Sequence, residues 1–148
     1  HSTSRRQRQM CIRDSISAVC SEIQRVLTPG GKLICSTYGK KHMQEVSRLV
    51  RDFDDRIVLS ADRLYERFGR ENGADILAPY FSRIFWESYK DSLLVPDAEP
   101  LISYILSCHG NQNQYLLDKY KDFRGFVSRK TKDGFFITKD AGIFLCEK

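Results

Sequence analysis

Residues 25–39, with the sequence RVLTPGGKLICSTYG, indicate the end of a helix, a tight turn and then a buried strand. Proline lacks an amide hydrogen and glycine favours left-handed caps, so residues 29–31 cannot continue a helix. The apolar run at residues 33–35 is typical of a strand covered on both faces. Together these features predict a parallel α/β sheet. The apolar stripe of the preceding helix comprises Ile16, Val19, Cys20, Ile23, Val26 and Leu27.

The rest of the chain alternates further helical and extended patterns. Strands are predicted near residues 32–37, 82–90 and 135–147, the last as a hairpin that turns at residues 139–142. The aromatic side chains, Trp86 and Tyr89 among them, are expected in the core. Helices are predicted at 43–53, between 60 and 68, at 72–81, after an Asp97 cap and at 116–127.

Residues 1–15 form a polar tail, and a separate domain is predicted for residues 16–148. Four arginines and one aspartate give the tail +3 of the total charge of +5, which leaves +2 for the domain. Such a segment cannot bury enough apolar surface to order itself, so we expect disorder. Residues 6–15 resemble translated sequencing-adaptor sequence, which favours a non-native addition. A basic arm for nucleic acid or membrane and an organelle transit peptide are the alternative interpretations.

Composition narrows the classes of function. A charge of +2 on the domain does not favour nucleic-acid binding. No apolar run approaches the roughly 20 residues of a membrane span, and no apolar signal-peptide core is visible. The five cysteines form no Cys-x-x-Cys pair and no zinc spacing, so no metal site is predicted. We therefore expect a cytoplasmic protein in which Cys20, Cys35 and Cys146 are buried, reduced thiols.

Residues 22–33, EIQRVLTPGGKL, resemble a pattern of the class I S-adenosylmethionine-dependent methyltransferases. In that family the pattern E-I-x-R-V-L-x-P-G-G-K-L leads from the helix after the fourth strand into the fifth. The later order is similar to that of small-molecule methyltransferases of this group. It runs through STYG at 36–39, His-Met at 42–43, ENG at 71–73 and GIFLCEK at 142–148.

The resemblance implies the distal half of a Rossmann-like, doubly wound sheet over residues 16–148. The final strand would be antiparallel and inserted between its two neighbours. Helical insertions at residues 60–81 and 97–131 would lie on the substrate side. The function implied is transfer of a methyl group to an unidentified small-molecule acceptor. The charge and hydropathy described above predict neither nucleic acid nor a membrane as a partner.

The cofactor-binding half of such a domain is missing from the sequence. In the family a glycine-rich turn and an acidic strand end hold S-adenosylmethionine, whereas the nine glycines of this chain never fall two apart. We therefore expect no cofactor-binding residue here and no activity from this chain alone. A non-catalytic, methyltransferase-like partner module and a nucleic-acid-binding domain are the alternative functions.

Candidate site residues follow the strand that passes through residues 33–35. Ligands of such sheets bind beyond the carboxyl ends of the strands, where Ser36, Thr37, Tyr38 and His42 are expected. His42 is either a catalytic base, because imidazole titrates near neutral pH, or a surface residue that starts a helix. Tyr38 either contacts the acceptor or packs beneath a lid. Asn72 is either a helix cap or a substrate ligand.

Overall fold

The turn between the first helix and the first strand has the predicted form. The helix ends where the Leu27 amide donates to the carbonyl of Ile23 at 3.1 Å. The Gly31 amide then donates to the carbonyl of Thr28 at 2.8 Å, and Gly30 has a φ of 74°. A positive φ after a proline is the geometry of a type II turn, which glycine adopts without steric cost. The helix–turn–strand prediction is confirmed.

The structure is a computed structural model that describes residues 15–148, apart from the side chains of residues 60–62. The predictions about residues 1–14 lie outside the described residues. Three strands, six α-helices and one 3-10 helix are found within this part of the chain. They are α1 (Ile16–Val26), β1 (Lys32–Tyr38), α2 (Gln44–Phe53), the 3-10 helix (Ser60–Glu66), α3 (Gly73–Leu77), β2 (Arg83–Val95), α4 (Ala98–Ser107), α5 (Gln112–Leu116), α6 (Tyr120–Thr131) and β3 (Phe135–Glu147).

The last strand is the centre of the sheet. The strand order is β1-β3-β2, and β3 is antiparallel to both neighbours. Since both outer strands oppose β3, β1 and β2 run in the same direction. The strands predicted near 32–37 and 82–90 are present, and the second extends to Val95. The chain is therefore an α/β domain with a three-stranded antiparallel sheet, and the parallel pairing that the sequence predicted is not found among the described residues.

The predicted hairpin turn at residues 139–142 is wrong, because β3 continues through it. Gly142 pairs with Thr37 of β1 on one side and with Ser88 of β2 on the other. No residue of this segment has a positive φ, which a two-residue hairpin turn requires. Backbone pairing along both edges outweighs the local turn propensity of the Lys-Asp-Ala-Gly sequence.

The strand β1 is covered on one face in the described part of the chain, whereas the sequence predicted cover on both. Leu33 and Cys35 pack with α1, but Ile34 points to the opposite face and is 64% exposed. Phe85 of β2 lies in the same row across the sheet, through Leu145, and is 63% exposed. No described element packs over this row, so an apolar patch faces solvent.

The aromatic side chains divide between the core and the surface. Trp86 packs against the fully buried Phe144 with ring centroids 4.7 Å apart, as expected of core residues. Tyr89 is 68% exposed, so its predicted place in the core is wrong, and Phe85 and Phe136 are exposed too. The alternation of side chains along a strand shows which residues share a face of the sheet, but it does not show which face is covered by other elements.

Two apolar clusters hold the layers together. A smaller cluster joins α1 and α3 to one face of the sheet through Cys20, Leu77, Phe81, Phe144 and Cys146. A larger cluster packs α2, α4, α5 and α6 against the start of β3. Its fully buried members include Val50, Ile57, Ile105, Leu116, Phe123 and Val127.

Helix boundaries follow local signals with two exceptions. Asp97 caps α4 by accepting the Glu99 amide at 3.0 Å, as predicted. The helix predicted over 72–81 ends at Leu77, because Pro79 has no amide to continue the ladder. The single helix predicted over 116–127 is divided into α5 and α6.

Gly142 is expected to be intolerant of a side chain. A methyl group there would lie 2.5 Å from Cζ2 of Trp86 and would collide with the carbonyl of Glu87. Gly142→Ala should therefore lower the free energy of unfolding by about 1–3 kcal/mol, measured by urea denaturation.

Gly125→Ala is the matched control, since Gly125 lies inside α6 and a methyl group there would meet only the flexible end of Arg129, at 3.6 Å, among the described residues. Alanine favours a helix over glycine by about 1 kcal/mol, so this variant should be stabilised. Equal effects of the two substitutions would show that the packing of Trp86 over β3 is not as described.

Candidate functional site

The loop after β1 is held in place by two carboxylates from distant parts of the chain. Asp140 of β3 accepts the Lys41 amide at 3.3 Å and Nη1 of Arg70 at 3.0 Å. Glu71 accepts the Lys40 amide at 3.0 Å. A backbone amide that donates to a carboxylate held elsewhere in the fold has its orientation fixed by that hydrogen bond. The loop therefore leaves the strand along one defined path.

Tyr38 and His42 form a stacked pair at the end of β1. Their ring centroids are 4.9 Å apart and their planes differ by 26°. The His42 amide donates to the carbonyl of Gly39 at 3.1 Å, which closes the loop beneath the rings. Nδ1 of His42 is buried and has no hydrogen-bond partner among the described residues.

The surroundings of His42 favour its neutral form. Burial lowers the pKa of His42 below the ordinary histidine value, and the positive charge of Lys139 lowers it further. The negative charge of Asp140 opposes this shift without cancelling it. A neutral imidazole can accept a proton at neutral pH, which is the requirement for a general base.

Tyr38 lines three cavities, and His42 lines two of them. A cleft of about 630 Å³ separates α2 from the 3-10 helix, and a cavity of about 230 Å³ lies between His42 and Tyr104. An apolar groove of about 500 Å³ lies between α1 and β1, lined by Ile23, Leu33 and Phe68 among others. Clefts of this size accommodate small organic ligands.

The other predicted site residues do not line these cavities. Ser36 is exposed on β1, opposite Ile143, and lines none of the three. Thr37 donates its hydroxyl to the carbonyl of Phe68 at 2.7 Å. Asn72 accepts the Gly69 amide and donates to the carbonyl of Glu66, both at 2.7 Å, and it makes no side-chain cap bond to α3. Thr37 and Asn72 thus hold the segment after the 3-10 helix.

Four cations on the wall of the larger cleft were not predicted as site residues. Lys40 and Lys41 come from the loop, and Arg48 and Arg51 come from α2. The two arginines lie one helical turn apart, on the face that also carries Gln44 and Ser47. Helical periodicity in the sequence could have identified this polar face. It could not show that the face lines a cleft.

The thiols near the groove are unsuited to nucleophilic chemistry. Burial raises the pKa of Cys35 to about 11, and the neighbouring Cys146 and Cys20 contribute to this rise. Burial likewise raises the pKa values of Cys20 and Cys146. A thiol attacks as its thiolate, so these three residues are packing groups at neutral pH.

The described part of the chain contains neither a cluster of metal-ligating side chains nor a membrane-spanning helix. Within residues 15–148, no three His, Cys, Asp or Glu side chains are grouped so that they could hold a metal ion. None of the helices in that range has the length and apolarity needed to cross a bilayer.

His42 is expected to make stability depend on pH in the mildly acidic range. Because folding lowers its pKa, the unfolded chain binds the proton more tightly than the folded protein. Above the ordinary histidine pKa of about 6.5, His42 is neutral in both the folded and the unfolded chain and does not reduce stability. As the pH falls below that value, the unfolded chain takes up the proton first, so the free energy of unfolding decreases. Urea titrations should show the unfolding free energy decreasing between about pH 7.5 and pH 5.5, with a smaller decrease in His42→Gln. Identical slopes in the two proteins would contradict this.

Comparison of the chain with protein-family models gives no match, and comparison with curated protein sequences gives none either. What this chain does is therefore inferred from its residues and from their geometry.

Proposed function

We propose that this chain is the distal half of an S-adenosylmethionine-dependent methyltransferase domain of Rossmann-like fold, which acts on a small-molecule acceptor. The observation that carries the proposal is the position of β3, antiparallel and inserted between two strands that run in parallel. The resemblance of residues 22–33 to the methyltransferase pattern implies this order for the last three strands. The turn of that same segment leads directly into β1.

The unpaired edge of β1 supports the proposal that the sheet extends beyond the three described strands. Among the described residues, β1 pairs with β3 alone, so its other edge offers unpaired backbone groups. The exposed row that contains Ile34 and Phe85 adds an uncovered apolar face. Proteins normally pair or cover such edges, because they otherwise promote aggregation. A further strand beside β1, with a helix over this row, would satisfy both features.

The residues of this chain do not fit the cofactor. The only adjacent glycines, Gly30 and Gly31, lie at the start of β1, whereas sheet ligands bind at the carboxyl end. The loop at that end contains Gly39, where a side chain would meet the carboxylates of Asp140 and Glu71. The carboxylates beside this loop would repel the carboxylate of the cofactor. We therefore assign S-adenosylmethionine to the upstream half of the domain.

The part played by this chain would be to receive the acceptor. In the complete enzyme the cofactor supplies an already activated methyl group, so the protein mainly aligns the acceptor and removes its proton. Tyr38, the last residue of β1, and His42, in the loop that follows, both line the same two cavities. His42 would accept the proton at its imidazole, and the Tyr38 ring would hold that imidazole in place by stacking.

A non-catalytic partner module is the second candidate. It is favoured by the same uncovered apolar row, which could dock on a separate catalytic subunit. The two functions differ in whether joining an upstream half to this chain creates methyl transfer.

The isolated chain is expected not to bind S-adenosylmethionine. It lacks the glycine-rich turn, so calorimetric titration should give no saturable heat. The same chain joined to the in-frame upstream sequence of its gene should bind the cofactor and transfer methyl groups. Micromolar binding to the isolated chain would contradict the assignment of the cofactor to the upstream half. Cofactor binding without methyl transfer by the joined protein would favour the partner module.

His42→Ala in the joined protein is expected to lower kcat by about 10²–10⁴-fold. The wild-type rate should rise with pH and level off above the lowered pKa of His42, and the variant should lack this acidic limb. His109→Ala is the control, since His109 is exposed and lines none of the three cavities. An unchanged kcat in His42→Ala would remove His42 from the mechanism.

Tyr38→Ala is expected to raise KM for the acceptor more than KM for the cofactor, because Tyr38 lines all three cavities around the pair. Tyr38→Phe keeps the ring and its stacking on His42, so it separates the role of the ring from that of the hydroxyl. Equal increases in both KM values would place Tyr38 outside the acceptor pocket.

A further inference from the structure

The cleft between α2 and the 3-10 helix carries an excess of positive charge. Its lining includes Lys40, Lys41, Arg48 and Arg51. A fifth cation in the lining, Arg63, is paired with Glu66 of the same cleft at 3.3 Å. The remaining four have no carboxylate within ion-pair distance among the described residues.

Three further carboxylates, around the loop after β1 and at the start of α2, are already engaged. Asp140 binds Arg70 and the amide of Lys41, and Glu71 binds the amide of Lys40. Glu45, at the start of α2, accepts both the amide and the hydroxyl of Thr138 at 2.9 and 2.7 Å. These acidic groups fix the backbone around the cleft and leave the four other cations without a side-chain counter-ion among the described residues.

The two arginines are held by their own helix in a way that leaves donors available. Nη2 of Arg48 donates to Oε1 of Gln44 at 3.1 Å, and Nε of Arg51 donates to the carbonyl of Ser47 at 3.1 Å. Each guanidinium has five N–H groups, so most of them remain free for a ligand. Arginine pairs favourably with carboxylate and phosphate oxygens, often through two parallel bonds.

Arg48 and Arg51 lack the carboxylate partner that most of the other described arginines have. Like charges one turn apart on a helix repel each other, and an anion bound in the cleft would offset this repulsion. Elsewhere, arginines pair with carboxylates, as Arg25, Arg56, Arg70, Arg83 and Arg124 do.

We propose that this cleft binds a small anionic molecule that carries carboxylate or phosphate groups. A concave site of about 630 Å³ suits a small molecule, whereas nucleic acid requires a basic stripe on a strongly basic domain. Residues 16–148 carry a net charge of only +2. His42 and Tyr38 line the same cleft, so the bound anion is the methyl acceptor, an identity that rests on the proposed function.

Binding is tested on the full chain without cofactor. Calorimetric titration with citrate and with inorganic phosphate at low ionic strength should give saturable binding, with citrate the tighter ligand and salt weakening both. The double variant R48Q/R51Q should weaken citrate binding at least about tenfold, since a charge-assisted hydrogen bond contributes roughly 1.5–3 kcal/mol. Both arginines lie on the cleft-facing side of α2 and outside the apolar clusters, so the thermal melt of the variant should match that of the wild type.

The matched control is R129Q, which removes an exposed arginine from α6, outside the cleft. It should leave citrate affinity unchanged. Absence of citrate binding, equal losses in R129Q and R48Q/R51Q, or tighter binding of a single-stranded oligonucleotide than of citrate would each overturn the proposal.

The proposal and the methyltransferase function can fail separately. Methyl transfer by the joined protein, together with no anion binding and full activity of R48Q/R51Q, would overturn the anionic acceptor alone. Citrate binding that R48Q/R51Q abolishes, in a joined protein without methyl transfer, would support the anion site and overturn the proposed function.

Discussion

The pairing of β3 with two neighbours is the constraint on which the rest of the structure depends. Because β3 lies between β1 and β2, the carboxyl end of β1 is placed beside Asp140. Asp140 then binds the loop amide of Lys41 and the side chain of Arg70, so the loop and the segment before α3 take fixed positions. The stack of Tyr38 on His42 forms at that point. Without the central strand there would be no common anchor for the elements around the cleft.

The same arrangement explains why one face of the sheet is covered by helices while part of the other face is exposed. One face receives α1 and α3 over Phe144 and Cys146, and the start of β3 is covered by the larger helical cluster. The row of Ile34, Leu145 and Phe85 receives no described element. An apolar row beside an unpaired edge strand is a surface that proteins usually cover. This row and this edge are the structural features that support the proposal of a further strand beside β1.

The acidic and the basic side chains around the cleft have different roles. Asp140, Glu71 and Glu45 bind backbone amides, one hydroxyl and one arginine, which fixes the loop and joins α2 to β3. The cations Arg48 and Arg51 keep donors free at the cleft wall, and burial beside Lys139 keeps His42 neutral. The positive cleft and the neutral imidazole on its wall are together the basis for the proposed acidic acceptor. Simple neutralisation of the cleft by neighbouring carboxylates would have removed this property.

The sequence by itself determined the features that depend on neighbours along the chain. The turn at Gly30, the cap at Asp97 and the apolar stripes of the helices follow from backbone chemistry and periodicity. Only the tertiary structure decided that residues 139–142 continue a strand, that Ile34 is exposed and that Thr37 and Asn72 hold a loop. It also decided that the polar face of α2 borders a cleft. The reason is physical: periodicity shows which residues share a face, whereas cover, pairing and charge compensation come from residues distant in sequence.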